Sequence, residues 1–198
     1  FKDTINAIKP VGATNAAAGM ELAQGQTSNR ADAKKIVIFF TDGTPTTQSD
    51  FSDEVASDAI SAAKAMKDAG ASVYTIGIFD GANPSANVNA SGTSNENKFM
   101  QAASSNYPAA AYTYTQYWLM SGEWKWSFGD RAEGSDFYKS ASSASELSKI
   151  FEDISKEIVK GAGYPTDARE GFEMSDGTSR STTRWARTCR LTHSKRSW

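Results

Sequence analysis

Apolar residues recur along the chain with two alternating periods, and the alternation outlines a fold. Residues 34–41 (KKIVIFFT) are a continuous apolar, β-branched run, the pattern of a strand covered on both faces of a parallel sheet. The run ends at Asp42-Gly43-Thr44-Pro45, a loop signal. From Ser52 to Ala69 the residues Val55, Ala59, Ala62, Ala63 and Met66 return at helical spacing, and Gly70 follows as a stop. Residues 72–79 (SVYTIGIF) repeat the strand pattern. Strand, helix, strand in that order predicts a right-handed parallel unit.

The remaining pattern extends this unit. Thr14 to Ala23 is Ala-rich behind a capping residue and predicts a short helix. Residues 80–94, rich in Gly, Asn, Ser and Ala, predict a surface loop, and Asn95 to Ser105 a short helix with Phe99 and Met100 inside. Phe137 to Ala141 predicts a third strand. Ser143 to Lys160 carries Leu147, Ile150, Phe151, Ile154 and Ile158 on one stripe, with Ser143 and Glu146 as a capping box. Alternating strands and helices predict an α/β fold, a doubly wound, mostly parallel sheet with flanking helices. Three strands are few for such a sheet, so it reads as incomplete at the N-terminus, with edges that upstream sequence normally covers.

Composition narrows the function. The 198 residues, 39% of them apolar, suffice for one domain with a core. No apolar run reaches membrane-spanning length, so no membrane insertion is expected in this segment. One cysteine, Cys189, excludes a disulfide framework and a cysteine-built metal site, and one histidine, His193, leaves no imidazole-centred triad. Net charge is −2, but Arg180, Arg184, Arg187, Arg190, Lys195 and Arg196 crowd the end of the chain without an acid among them. The acidic remainder makes a nucleic-acid partner a poor expectation. Phe1 follows no initiator Met or leader pattern, so the chain reads as a fragment.

Two residues stand where chemistry is expected. Asp42 follows an apolar strand and Thr14 opens a helix. Both offer hard oxygens suited to Mg²⁺, Mn²⁺ or Ca²⁺. Read by spacing alone, each serves equally well as a turn or helix cap. Asp42-Gly43-Thr44 also ends the nucleophile motif of haloacid-dehalogenase-like phosphatases, but Phe40 stands where that motif needs a second Asp. No Gly-rich phosphate loop with Lys occurs, and His193 is a poor base for a Ser nucleophile, so no enzymatic activity is expected.

Gly12-Ala13-Thr14-Asn15, followed by residues 35–45 (KIVIFFTDGTP), resembles the von Willebrand factor A domain. The segments Phe137–Ala141, Ser145–Leu147 and Ile150–Ile154 resemble its last strand and helix, so the likeness covers about residues 1–160. It implies a metal-ion-dependent adhesion site held by an Asp-x-Ser-x-Ser motif, a Thr and a later Asp. Thr14 matches the second element and Asp42 the third; the first is absent. The resemblance therefore implies Mg²⁺, Mn²⁺ or Ca²⁺ in a complete domain, held weakly or not at all in this fragment. Residues 97–108, 129–133 and 163–166 resemble a subgroup found in wall-anchored surface and pilus proteins of Gram-positive bacteria. That implies an extracellular location on the bacterial cell surface, with a host matrix protein or another surface protein as partner. Two alternatives remain: a structural spacer or assembly domain of a pilus or wall protein, and an intracellular domain working beside an ATPase. The resemblance also places the missing first strand mid-sheet. Uncovering Ile36, Ile38, Val73 and Ile76 would cost roughly 1.5–3 kcal/mol per side chain, enough to leave the chain marginal.

Residues 106–137 form an aromatic-rich insertion whose period-two alternation, as in Tyr112-Thr113-Tyr114 and Trp124-Lys125-Trp126, predicts a hairpin turning near Ser121-Gly122. Trp118, Trp124 and Trp126 are candidate ligand contacts, against the plainer expectation that the aromatics pack onto the sheet edge. Residues 161–178 read as a linker, and 179–198 as an atypical basic tail. Read one base earlier, that tail yields a string resembling the segment that follows the A domain in the surface-protein subgroup. The expectation is a frameshift near residue 179.

Overall fold

The computed structural model describes residues 13–27, 34–41, 44–46, 50–118, 121–134 and 136–161. The chain divides into two compact units, residues 1–163 and 164–198, and every described residue lies in the first. The linker over 161–178, apart from Gly161, and the basic tail over 179–198 fall outside the described residues, as does Asp42.

In chain order the elements are α1 (Ala16–Gln26), β1 (Ile36–Thr41), α2 (Asp53–Asp68), β2 (Ser72–Gly77), α3 (Asn95–Ala103), β3 (Ala111–Thr115), β4 (Glu123–Ser127), β5 (Tyr138–Ser140) and α4 (Ala144–Gly161). β1, β2 and β5 form a parallel sheet in that order, with Ile36 opposite Ser72 and Thr75 opposite Tyr138. The α/β fold is therefore as the pattern predicts, with helices on both faces. β3 and β4 form a separate antiparallel hairpin inserted between α3 and β5.

Local chemistry sets the helix ends. Ser52 caps α2 by accepting from Val55 N–H, and Gly70 ends it at φ +83°, a left-handed position that glycine adopts without steric cost. α1 begins two residues later than expected, because Asn15 rather than Thr14 caps it, its side chain accepting from Ala18 N–H at 3.0 Å. At α4, Ser143 Oγ accepts from Glu146 N–H, but the Glu146 carboxylate reaches back to the N–H and Oγ of Ser142 instead of Ser143. These two donors hold it below the usual carboxylate range.

The two sheet faces are covered unequally. Val37, Phe39 and Val73 face the main core, built with Met20, Ile60, Met66, Phe99 and Met100 from α1, α2 and α3. Tyr74 and Ile76 face α4, where Ile154 is the one buried side chain of the predicted stripe; Leu147, Ile150, Phe151 and Ile158 are half-buried. β1 departs from expectation in the same way. Its apolar run predicts burial on both faces, yet residues 36–39 are half-buried and Phe40 is 56% exposed. The physical reason is position: among the described residues β1 has a strand neighbour on one side only. No described helix is long and apolar enough to cross a membrane.

Candidate functional site

In open parallel sheets, ligand sites gather at the carboxyl ends of the strands, and the structure brings several segments together there. Thr14 N–H donates to Thr46 Oγ1 at 3.1 Å, and Thr46 N–H returns a bond to Thr14 O at 3.0 Å. This reciprocal pair stitches the turn before α1 to the segment leaving β1. Ala16 N–H also donates to Thr14 O, so the residue's backbone is fully used. Its hydroxyl, half-buried, takes part in no hydrogen bond among the described residues. Thr14 is thus a fixed residue with an unengaged hard oxygen, not the cap of its helix.

Two residues before Thr46, Thr44 Oγ1 donates to Glu96 Oε1 at 3.4 Å, and both line a cleft of about 730 Å³ together with Asp80, Asn83, Asn87 and Asn97. The floor of the cleft is held from α3. Asn97 is buried, and both ends of its amide are saturated. Its Oδ1 accepts from Asn83 N–H at 2.7 Å and from Tyr138 O–H at 2.8 Å, while Nδ2 donates to Gly81 O at 2.9 Å and Ser94 Oγ at 3.1 Å. One turn on, Gln101 donates to Pro84 O at 2.6 Å and accepts from Asn106, whose amide also reaches Asp136. Burial pushes the Tyr138 hydroxyl well above the usual phenol range, so it stays a donor to Asn97. Sequence reasoning missed this network. Its signal was Asn97 and Gln101, amides four residues apart on the helix face that carries no apolar repeat.

Residues 1–114 match the family model of the von Willebrand factor type A domain. The chain belongs to that family. No curated protein and no solved structure matches it significantly. Domains of this family are protein-interaction and adhesion modules, and they commonly bind a divalent metal.

The A-domain residues here fit a metal only in part. Thr14 contributes one suitable oxygen, Asp42 lies outside the described residues, and the described residues contain no group of three or more His, Cys, Asp or Glu that could hold an ion.

The three candidate tryptophans separate. Trp124 and Trp126 lie on the inner face of the hairpin, where Tyr112 stacks on Trp126 at 3.9 Å and on Trp124 at 5.2 Å, and Trp126 stacks on Phe128 at 5.7 Å. Tyr112 docks this stack on α2, its hydroxyl donating to Asp53 at 2.6 Å and its carbonyl accepting from Ser57 Oγ at 2.6 Å. Burial and the Asp53 carboxylate both raise the Tyr112 hydroxyl far above the ordinary phenol range. Both tryptophans are half-buried and packed against the main core. Trp118 differs: it is 91% exposed, beside the exposed Tyr114 and Tyr117 near the hairpin turn. A second unpredicted feature braces the insertion. The Lys67 ammonium donates to the carbonyls of Ala102, Ser104 and Tyr107 at 2.7, 3.1 and 3.0 Å, joining the end of α2 to the chain between α3 and β3. Burial, then repulsion from Lys64, lowers its pKa to about 8, against a smaller opposing pull from Asp68.

Proposed function

We propose that this chain is a metal-dependent protein-binding module of a bacterial surface protein, a binding domain rather than an enzyme, with Thr14 and Asp42 supplying oxygens to the cation. The observation that carries the reading is Thr14: a residue locked by two backbone bonds to Thr46 at the carboxyl end of β1, with its hydroxyl unengaged. When bound, the cation would offer an open coordination position to an acidic side chain of the partner, joining two carboxylates that would otherwise repel. Thr14 fixes one oxygen of that site, and the segment it is bonded to, through Thr46, continues from Thr44 at the wall of the cleft that would receive the partner's neighbouring residues. The surface location rests on the sequence likeness of residues 97–108, 129–133 and 163–166 to wall-anchored proteins.

Two protein oxygens hold a hard cation weakly, so the dissociation constant for Mg²⁺ is expected on the order of millimolar or weaker. Calorimetric titration with MgCl₂ tests this, and an affinity in the micromolar range would overturn it. Adhesion is tested on surfaces coated with fibronectin, laminin or collagen at roughly millimolar Mg²⁺. Retention on one of them that disappears with EDTA, and in Thr14→Ala, supports the module. Retention unchanged by EDTA removes the metal from the mechanism. No retention on any surface favours the spacer or assembly role.

A further inference from the structure

The aromatic insertion treats its three tryptophans differently. Trp124 and Trp126 are half-buried in the stack around Tyr112, whereas Trp118 is 91% exposed. Among the described residues no ring packs on Trp118, and its indole N–H donates to nothing. The exposure is not scattered. Tyr114 and Tyr117 are exposed at the same end of the hairpin, so three of the six large exposed apolar side chains of the described residues gather there. The last ladder pair behind them is Thr115 opposite Glu123.

The surroundings of the free ring are fixed and polar. Tyr117 folds over the outer face of the hairpin, its hydroxyl donating to the Glu123 carboxylate and accepting from Lys125 Nζ at 3.0 Å. The ammonium lies 5.8 Å from the Tyr117 ring centroid and also pairs with Glu123. On the inner face the Tyr114 ring leans on Trp124 at 5.3 Å, and its hydroxyl accepts from Gly122 N–H at 2.9 Å. Both tyrosines are thus held by the strands behind them. The exposed polar side chains of this end, Thr113, Thr115, Glu123 and Lys125, carry one charge of each sign.

We propose that the hairpin tip binds a neutral pyranose chain, the Trp118 indole stacking on the C–H face of one sugar ring while Glu123 and Lys125 bond its hydroxyls. The electron-rich face of an indole attracts the weakly positive C–H groups that a pyranose with equatorial hydroxyls presents. Each sugar hydroxyl both donates and accepts, which suits a carboxylate acceptor and an ammonium donor held side by side. Charge decides against other occupants. A membrane surface favours basic residues around an apolar tip, and Glu123 stands here with Lys125. A charged peptide would meet one like charge for each opposite one. A β-linked chain of gluco-configured sugars has C–H groups on both ring faces, so it can lie across a single exposed ring without needing a groove.

The probes are cellohexaose and chitohexaose, and the readout is the set of five indole N–H signals in the NMR spectrum of the isotope-labelled chain. Trp118→Ala identifies its own signal by removing it, and should leave the thermal midpoint unchanged. Either oligosaccharide should move the Trp118 signal, with a dissociation constant on the order of a millimolar, and leave the Trp126 signal in place. Trp118→Ala should weaken binding about tenfold, followed at the Tyr117 and Lys125 amides, and Trp118→Phe, which keeps a ring, should weaken it less. Binding here needs no cation, so EDTA and Thr14→Ala should not change it, and its failure would leave the metal-dependent reading untouched. The proposal is overturned if neither sugar at about 10 mM moves the Trp118 signal, or if Trp118→Ala binds as tightly as the parent. A shift with phosphatidylglycerol vesicles and none with the sugars would overturn it in favour of a membrane surface. A shift on dilution of the protein alone, with none from the sugars, would overturn it in favour of a second copy of this chain.

Discussion

The aromatic hairpin and strand β1 are both crowded with large apolar side chains, yet they reach opposite states. In the hairpin each strand satisfies the other, from Ala111 opposite Ser127 to Thr115 opposite Glu123, and the inner face settles on α2 through Tyr112. In β1 the partner on one side is present, no strand lies on the other side among the described residues, and Phe40 is largely exposed. Apolar content alone therefore does not decide burial. What decides it is whether a segment's backbone and its side chains find partners in the same place.

Removing the centre of the hairpin stack is the strongest way to test that contrast. Tyr112→Ala should cost about 3 kcal/mol, because a buried aromatic leaves a cavity. Phe40→Ala, at the exposed edge, should cost under about 0.5 kcal/mol. Thermal denaturation of the two variants compares them directly, and equal losses would erase the distinction. Lys67→Met comes next. Three carbonyls lose a charged donor, so a cost of about 1–3 kcal/mol is expected, with hydrogen exchange rising first around Ala102–Tyr107. Gly122→Ala should cost about 1–3 kcal/mol, since an added Cβ would clash with Thr115 O, and exchange should rise in β3 and β4 but not in β1 and β2.

A pH series separates the regions more gently. Lys67 is lowered to about 8, so between there and 10.5 the unfolded chain binds the extra proton and stability rises with pH. Tyr74, raised to about 12 by burial and by Glu157, acts with the opposite sign, as do Tyr112 and Tyr138. Their protons are kept by the fold and lost by the unfolded chain above pH 10, so stability falls from there upward. Denaturant midpoints between pH 7 and 12 should show a shallow rise and then a fall; a monotonic profile would contradict the burial of these groups. Smallest is Trp118→Ala, expected within about 0.5 kcal/mol of the parent, because the ring packs on almost nothing.

Elements with a strong internal period were legible from the sequence. The Val55–Met66 repeat found α2 and its Ser52 and Gly70 ends, and alternation at Tyr112 and Trp126 found the hairpin, though its inner face settles on α2 where packing onto the sheet edge was expected. Thr14 was legible as a candidate through its motif, but its bonds to Thr46 depend on residues 32 positions apart. The Asn97 network was hidden for the same reason. It joins the Gly81–Asn83 turn and Tyr138, and although Asn97 and Gln101 mark a polar helix face, nothing local names the two distant segments that saturate the amide. β1 misled in the other direction, because its run describes what the strand suits, whereas burial depends on neighbours the run does not encode.

The anchoring of residues 80–94 has a consequence for diversification. Asn97 and Gln101 grip the start of this loop at Gly81, Asn83 and Pro84, and Ser94 closes it at the cap of α3. Between those clamps the chain is held by its own turns and by Val88, which is buried in the main core, while Asn87 and Asn89 are exposed. A segment fixed at both ends and pinned at Val88 can change its exposed positions on either side without disturbing the scaffold. The exposed positions of this loop, Ser85, Asn87 and Asn89 among them, are therefore exchangeable while Val88, Asn97 and Gln101 hold the cleft wall in place.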